Sequence, residues 1–277
     1  MKTKTLKTSD QTELFVKDWL LSDQTEKRGA VLIIHGLGEH CERYARLAEF
    51  LNANGFEVRG YDQRGHGKSG GNRGEIPSET AMIEDAKFIY EDFAENHSER
   101  PFLLGHSMGG AVAVRAATDK FITPRGLILS SPAITAKLSL SEKMQLKIGR
   151  LTPNIAVSNG LKVEYISHDR QVVEDYKNDE LVHSKITPRL ANFIIDSGQE
   201  TLKKAANFHI PTLLLIAGDD RLVDTDGAKQ LFKKLPKETT TMHIYENFYH
   251  EIFNEIEAER AKVFADLKNW LCQNSER

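Results

Sequence analysis

The run Phe102-Leu103-Leu104-Gly105-His106-Ser107-Met108-Gly109-Gly110 sets a serine at the centre of Gly-x-Ser-x-Gly, between an apolar segment and an Ala/Val-rich helical one. A strand that becomes a helix within one residue forces that residue into a strained conformation. Glycines two positions either side let the backbones pack closely enough for the turn to exist. Such a turn lifts the serine hydroxyl clear of a sheet, and the free N–H groups of the new helix face developing negative charge. The motif therefore predicts both a strand-turn-helix unit and a nucleophile at Ser107. The bland alternative is a surface serine in a glycine loop, and the flanking strand and helix patterns argue against it.

The rest of the 277 residues fits that unit. Short buried-strand patterns recur at 30–34, 57–61, 102–104, 126–129, 212–217 and 242–245, and Leu14 to Trp19 alternates like an antiparallel edge strand. Between them Met82, Ala86, Ile89 and Phe93 recur at helical spacing, and Val263, Phe264, Leu267, Trp270 and Leu271 form a C-terminal stripe. Strand-helix alternation predicts a mostly parallel, doubly wound α/β sheet with its site at the carboxyl ends of the strands. The regularity stops after Pro132, and no clear strand is legible until Thr212. We therefore expect a core of 1–132 and 207–277 with an inserted helical cap at 133–206. Within the cap, Ser139-Leu140-Ser141-Glu142 has capping-box spacing, followed by Met144, Ile148 and Leu151 with Lys143, Lys147 and Arg150 beside them. That is a basic amphipathic helix, suited to transient membrane contact or to packing on its own domain.

A net charge of -3 favours neither nucleic acid nor a strongly anionic surface as a partner, and two distant cysteines, Cys41 and Cys272, suggest neither a disulfide framework nor a zinc site. No apolar run follows Met1 to Lys7, and no run approaches membrane-spanning length, so a secretory leader is not expected and the cytoplasm is the expected location.

A serine nucleophile needs a base, an acid to orient it, and two N–H donors for the oxyanion. Of ten histidines, His250 lies just after the last expected strand, at the sheet edge where Ser107 emerges. His106 adjoins the serine and points away from the base's place; it is a candidate for substrate contact. The acid should follow the strand at 212–217, where Asp219, Asp220 and Asp224 are all available and all satisfy the chain order. Asp219 also suits a turn and Asp224 a helix cap, so the residues alone leave the choice open. Met108 supplies one donor, and Leu37, in His35-Gly36-Leu37-Gly38-Glu39-His40, the other. The absence of a Gly-Lys-Ser/Thr ending argues against a phosphate loop.

Three segments, His35-Gly36-Leu37-Gly38-Glu39-His40 with Arg43-Tyr44, Asp62-Gln63-Arg64-Gly65-His66-Gly67-Lys68-Ser69 and Gly105 to Gly110, together resemble the monoacylglycerol lipase and lysophospholipase branch of the α/β-hydrolases. The resemblance is strongest before residue 131 and after 210. It implies that Asp220, heading Asp220-Arg221-Leu222-Val223, is the acid. It also implies that Glu39, Arg43 and, less directly, the cap residue Tyr176 contact the glycerol head group. The expectation is a serine hydrolase of single-chain lipid esters, using Ser107, His250 and Asp220 with the Leu37 and Met108 amides and no metal or organic cofactor. Lysophospholipase, broad carboxylesterase, small-amide aminopeptidase and a non-catalytic binding protein are the alternatives.

Overall fold

The computed structural model describes residues 1–22, 24–137, 139, 144 and 147–275. One eight-stranded sheet runs through it in the order β1-β2-β4-β3-β5-β6-β9-β10. These strands are β1 (Lys2–Lys7), β2 (Glu13–Trp19), β3 (Gly29–Ile34), β4 (Phe56–Tyr61), β5 (Phe102–His106), β6 (Leu127–Ser130), β9 (Thr212–Ala217) and β10 (Thr240–Tyr245). From β4 to β10 all neighbours are parallel, while β1–β2 and β2–β4 are antiparallel. Central strands read as unbroken apolar runs because both faces are covered: every residue of β9, Thr-Leu-Leu-Leu-Ile-Ala, is buried. Helices α2 (Ala81–Ala94) and α3 (Met108–Thr118) bury Met82, Ile89, Val112 and Val114 on one face. On the other, α1 (Ala45–Ala53) and α7 (Glu257–Ser275) bury Leu47, Leu51, Val263, Leu267 and Trp270. The doubly wound α/β sheet is thus as expected.

One expectation fails at the N-terminus. Leu14 to Trp19 is not the edge strand; β1 pairs outside it, in register Lys2 with Asp18 to Lys7 with Glu13. Its sequence, Lys-Thr-Lys-Thr-Leu-Lys, is exposed almost throughout and carries no hydrophobic pattern to reveal it. Lysines on an exposed strand also discourage edge-to-edge pairing with another chain.

The interval between β6 and β9 contains a two-stranded antiparallel ribbon, β7 (Val157–Ser158) with β8 (Lys185–Ile186), where no strand was legible. Two residues per strand are too few for an alternation to register. Helix α4 (Arg170–Asn178) begins at Asp169, whose side chain accepts the Gln171 N–H, and α5 (Pro188–Lys204) begins at Thr187, which caps Leu190. Leu190 and Phe193 of α5 belong to the same buried cluster as α3, and Gly198 lies against Ile134 so closely that a Cβ there would strike the Ile134 carbonyl. The capping box expected at 139–142 lies outside the described residues apart from Ser139. Met144, Ile148, Leu151, Ile155 and Val157 are exposed, Leu151 to 84%.

Candidate functional site

Between β5 and α3, Ser107 has φ 54° and ψ -120°, a conformation that costs an L-residue on the order of 1–3 kcal/mol. Packing holds it there. A methyl on Gly105 would strike the Gly109 carbonyl, and one on Gly109 would strike the carbonyls of Ile34 and His35, so neither position accepts a side chain without moving β3 or α3. The elbow expected from sequence is present.

His250 and Asp220 meet beside it. His250 Nδ1 lies 2.7 Å from Asp220 Oδ2, while Asp220 Oδ1 accepts the Leu222 and Val223 N–H groups, each at 2.9 Å. Both side chains are buried. Burial pushes the Asp220 carboxyl up, but the His250 charge and these amides outweigh it and hold it below its ordinary value. Burial likewise opposes charge on His250, and Asp220 overcomes it and raises the imidazole. Because the carboxylate can only accept, Nδ1 carries the proton, which leaves Nε2 as the nitrogen free to exchange a proton with the cavity. The other two carboxylates of the loop are elsewhere: Asp219 pairs with Arg221 at the surface, and Asp224 caps α6 (Thr225–Lys234) through the Asp226 N–H and accepts from Thr135.

Ser107, His250, Leu37, Glu39, His106, Tyr176 and Glu251 line one cavity of only about 40 Å³. Among the described residues neither the Leu37 nor the Met108 N–H has a hydrogen-bond acceptor. The loop carrying Leu37 is pinned on both sides. His35 Nε2 accepts the Gln63 N–H at 2.9 Å, so its Nδ1–H donates to Gly36 O at 2.8 Å, and Glu39 Oε1 accepts the Gly36 N–H at 2.6 Å. Burial keeps that imidazole neutral, lowering it to about 3. His106 contacts Ser130 Oγ at 3.1 Å through Nδ1, lies with its ring 4.6 Å from that of His250, and is lowered by burial to about 3.

Glu39 and Arg43 are together, but bound to one another and to a residue that sequence reasoning passed over. Arg43 donates to Glu39 Oε2 at 2.8 Å and makes a two-pronged pair with Glu251 at 2.6 and 2.8 Å. Glu39 Oε1 also accepts the Tyr44 hydroxyl at 2.8 Å, and Asn254 donates to Glu251 Oε2 at 2.9 Å. The Tyr176 ring stacks on the Arg43 guanidinium at 4.5 Å. Burial raises the Glu39 carboxyl, with Glu251 adding to it against the pull of Arg43. For Glu251 burial also raises, but Arg43 prevails and lowers it. Every carboxylate oxygen of the cluster is engaged. Glu251 had a sequence signal: a charge beside the candidate base, set among Phe248, Ile252 and Phe253, all buried. Buried charges need dedicated partners.

The parallel sheet, the strained serine at its carboxyl edge and the nearby imidazole-carboxylate pair define an α/β-hydrolase, and its lipase relatives place it by class among the carboxylic ester hydrolases. A family model described as serine aminopeptidase, S33, matches residues 25–257, and the chain belongs to that family. A monoacylglycerol lipase of Mycolicibacterium smegmatis is 33% identical over 255 residues, 90% of each chain. An uncharacterized abhydrolase domain-containing protein of Dictyostelium discoideum is 33% identical over 276 residues, 98% of this chain, which spans only 29% of that relative. The crystal structure of a Paleococcus ferrophilus monoacylglycerol lipase superposes with a TM-score of 0.83 at 34% identity, covering 95% of this chain and 99% of that one.

Proposed function

We propose that the protein hydrolyses single-chain lipid esters of the monoacylglycerol type through an acyl-enzyme on Ser107. His250 Nε2 takes the serine proton as Oγ attacks the ester carbonyl, and then gives it to the leaving glycerol oxygen. Asp220 holds the imidazole in its working tautomer and stabilises its charged form, and the Leu37 and Met108 N–H groups receive the oxyanion. Water activated by His250 then releases the fatty acid. The observation that carries this reading is the conjunction in one cavity of a positive-φ serine, the unengaged Leu37 amide, and an imidazole whose other nitrogen is already held by a carboxylate, with the unengaged Met108 amide next to the serine in the chain. The resemblance to monoacylglycerol lipases supports the substrate class.

A lipid does not fit 40 Å³, since ligand cavities run to about 300–1,000 Å³. Leu161, Ile166 and Tyr176 close the cavity from the 133–206 interval, so we assign that interval as the cap over a core of 1–132 and 207–277. Within it α5 is packed into the main core, and the segment before α5 is tied to the core by the His183 N–H to Gly38 O at 2.9 Å and the Glu251 N–H to Ile166 O at 2.8 Å. Exposed Met144, Ile148, Leu151 and Ile155 lie in the same interval and would rest on the lipid surface that presents the substrate, with the chain otherwise in the cytoplasm. Among the described residues no helix is long and apolar enough to cross a membrane. Glu39 and Tyr176, with Arg43 behind them, would shape the head-group end of the cavity, with Glu39 and Glu251 committed to Arg43 rather than free for glycerol. Hydrolysis measured across monoacylglycerols, di- and triacylglycerols, lysophospholipids and short nitrophenyl esters tests the proposal. Preference for single-chain lipids is expected; activity confined to soluble short esters would overturn the lipid assignment.

A further inference from the structure

The loop that carries the Leu37 amide is held from two parts of the molecule. On its N-terminal side the holder is the core: the Gln63 N–H fixes the His35 tautomer, and the His35 Nδ1–H donates to Gly36 O. A trans peptide points its carbonyl and its N–H in opposite directions, so the ring that holds Gly36 O turns the Leu37 N–H away from itself. On the C-terminal side the contact comes from the 133–206 interval. The His183 N–H donates to Gly38 O at 2.9 Å, and the His183 carbonyl lies so close over Gly38, at φ 79°, that a Cβ there would meet it at 2.3 Å. The His183 ring returns to the same foundation as His35. Its Nδ1 accepts the Lys185 N–H at 3.2 Å, so Nε2 carries the proton and donates to Gly65 O at 3.0 Å, two residues beyond Gln63. Burial, with the Arg73 and Lys185 charges nearby, lowers this imidazole to about 4 and keeps it neutral. Between the two histidines stands a third: the buried His66 ring, whose Nδ1–H donates to Arg64 O at 2.9 Å, lies 4.7 Å from the His183 ring and 5.3 Å from that of His35. The segment from Asp62 to Ser69, which in sequence stood only for a family resemblance, thus carries both supports of the Leu37 loop.

We propose that His183 is a positioning residue for ester hydrolysis, closing from the cap side a ring of hydrogen bonds that aims the Leu37 N–H at the oxyanion. The proposal rests on the ester-hydrolase reading and adds that the cap sets the geometry of the chemical step as well as access to it. His183 does not line the cavity of Ser107, so it acts through the loop and not on the substrate. A substrate too small to reach the cap should therefore feel its loss as much as a lipid does. The strap itself stays docked when the ring is removed, because the Thr187 N–H and hydroxyl both donate to Gly74 O, at 2.9 and 3.0 Å.

The test measures kcat and KM of the purified full chain on nitrophenyl butyrate and on a monoacylglycerol, for the wild type, His183→Ala and His183→Gln. It also measures the Ki of an aliphatic trifluoromethyl ketone, whose adduct with Ser107 is an oxyanion. Enzyme is counted as fluorophosphonate-titrated sites, so that unfolded chains drop out. His183→Ala is expected to lose about tenfold in kcat on both substrates with KM within about twofold, part of the roughly 10²–10³ that deleting an oxyanion donor costs, and to bind the ketone about tenfold more weakly. His183→Gln, whose amide nitrogen can reach Gly65 O, should recover to within about threefold of the wild type on all three measures. Should the alanine variant not fold, His183→Asn, whose shorter side chain stops before Gly65, takes its place with the same expected losses. Unchanged kcat and Ki, a loss confined to KM for the monoacylglycerol, or a glutamine variant no better than the alanine one would overturn the proposal and leave the ester-hydrolase reading standing. A wild type inactive on nitrophenyl butyrate would bring down both.

Discussion

Two buried charge clusters sit side by side at the carboxyl edge of the sheet, and they differ in what is left unengaged. In the Asp220–His250 pair the carboxylate is saturated but the imidazole keeps one nitrogen for a partner in the cavity. In the Glu39–Arg43–Glu251 cluster both carboxylates are filled by Arg43, Tyr44, Asn254 and the Gly36 amide. The first arrangement can move a proton. The second can only hold position, and what it holds is the loop carrying the Leu37 amide, on one side, and the residue after His250 on the other. Adjacent residues, His250 and Glu251, thus serve opposite ends of the site: in the proposed mechanism one would supply the base, while the other braces the Leu37 loop through Arg43 and Glu39.

The sharpest way to break this contrast is to empty the first cluster. Asp220→Asn should lower kcat for ester hydrolysis about 10⁴-fold with little change in melting temperature, because the asparagine favours the wrong tautomer. A loss under tenfold would put the acid elsewhere. Emptying the second should do something different in kind. Glu251→Gln leaves Arg43 half-paired and buried, at a cost of about 3 kcal/mol in stability, and loosens the Leu37 loop. We expect kcat to fall about ten- to a hundredfold with KM nearly unchanged; a raised KM at constant kcat would mean the cluster binds substrate instead. Glu39→Gln tests the same brace, since its amide nitrogen would meet a donor on either side.

The two clusters also separate in pH. As the proposed base, His250 would work unprotonated, and Asp220 raises its folded value above the ordinary 6.5, so kcat/KM should climb with pH on a limb centred above 6.5, and that limb should move down in Asp220→Asn. Stability runs on other groups. His35 and His106, buried and lowered to about 3, and His183, half-buried and lowered to about 4, bind protons more weakly folded than unfolded. Their contribution is complete above about 6.5 and shrinks as pH falls towards 4, so the melting temperature should drop over that window. A flat melting profile from 7 to 4.5 would contradict it. The smallest effect belongs to the exposed cap residues: Leu151→Glu should weaken activity on vesicle-borne substrate a few-fold and leave soluble esters untouched.

What could be read beforehand follows the range of the interactions. Buried parallel strands announce themselves because both faces demand apolar residues, and the serine elbow because its glycines answer a local clash. The β1 strand, built of lysine and threonine, is held by backbone pairing to β2 and leaves no trace in side-chain pattern. Asp224 could be seen as a helix cap because capping is local; that Asp220 rather than Asp219 meets His250 depends on a contact thirty residues away, and only the family resemblance pointed to it. Glu39 and Arg43 were legible as residues but not as partners. Their commitment to each other depends on Glu251, more than two hundred residues further along the chain.

The account turns on Ser107 as the nucleophile of an imidazole-activated site. Treating the wild type and Ser107→Ala with a fluorophosphonate probe and mapping the adduct by peptide mass spectrometry tests this directly. The account predicts one adduct, on the peptide bearing Ser107, absent in the folded variant together with ester hydrolysis. An adduct on another residue, or undiminished labelling and turnover in Ser107→Ala, would contradict it.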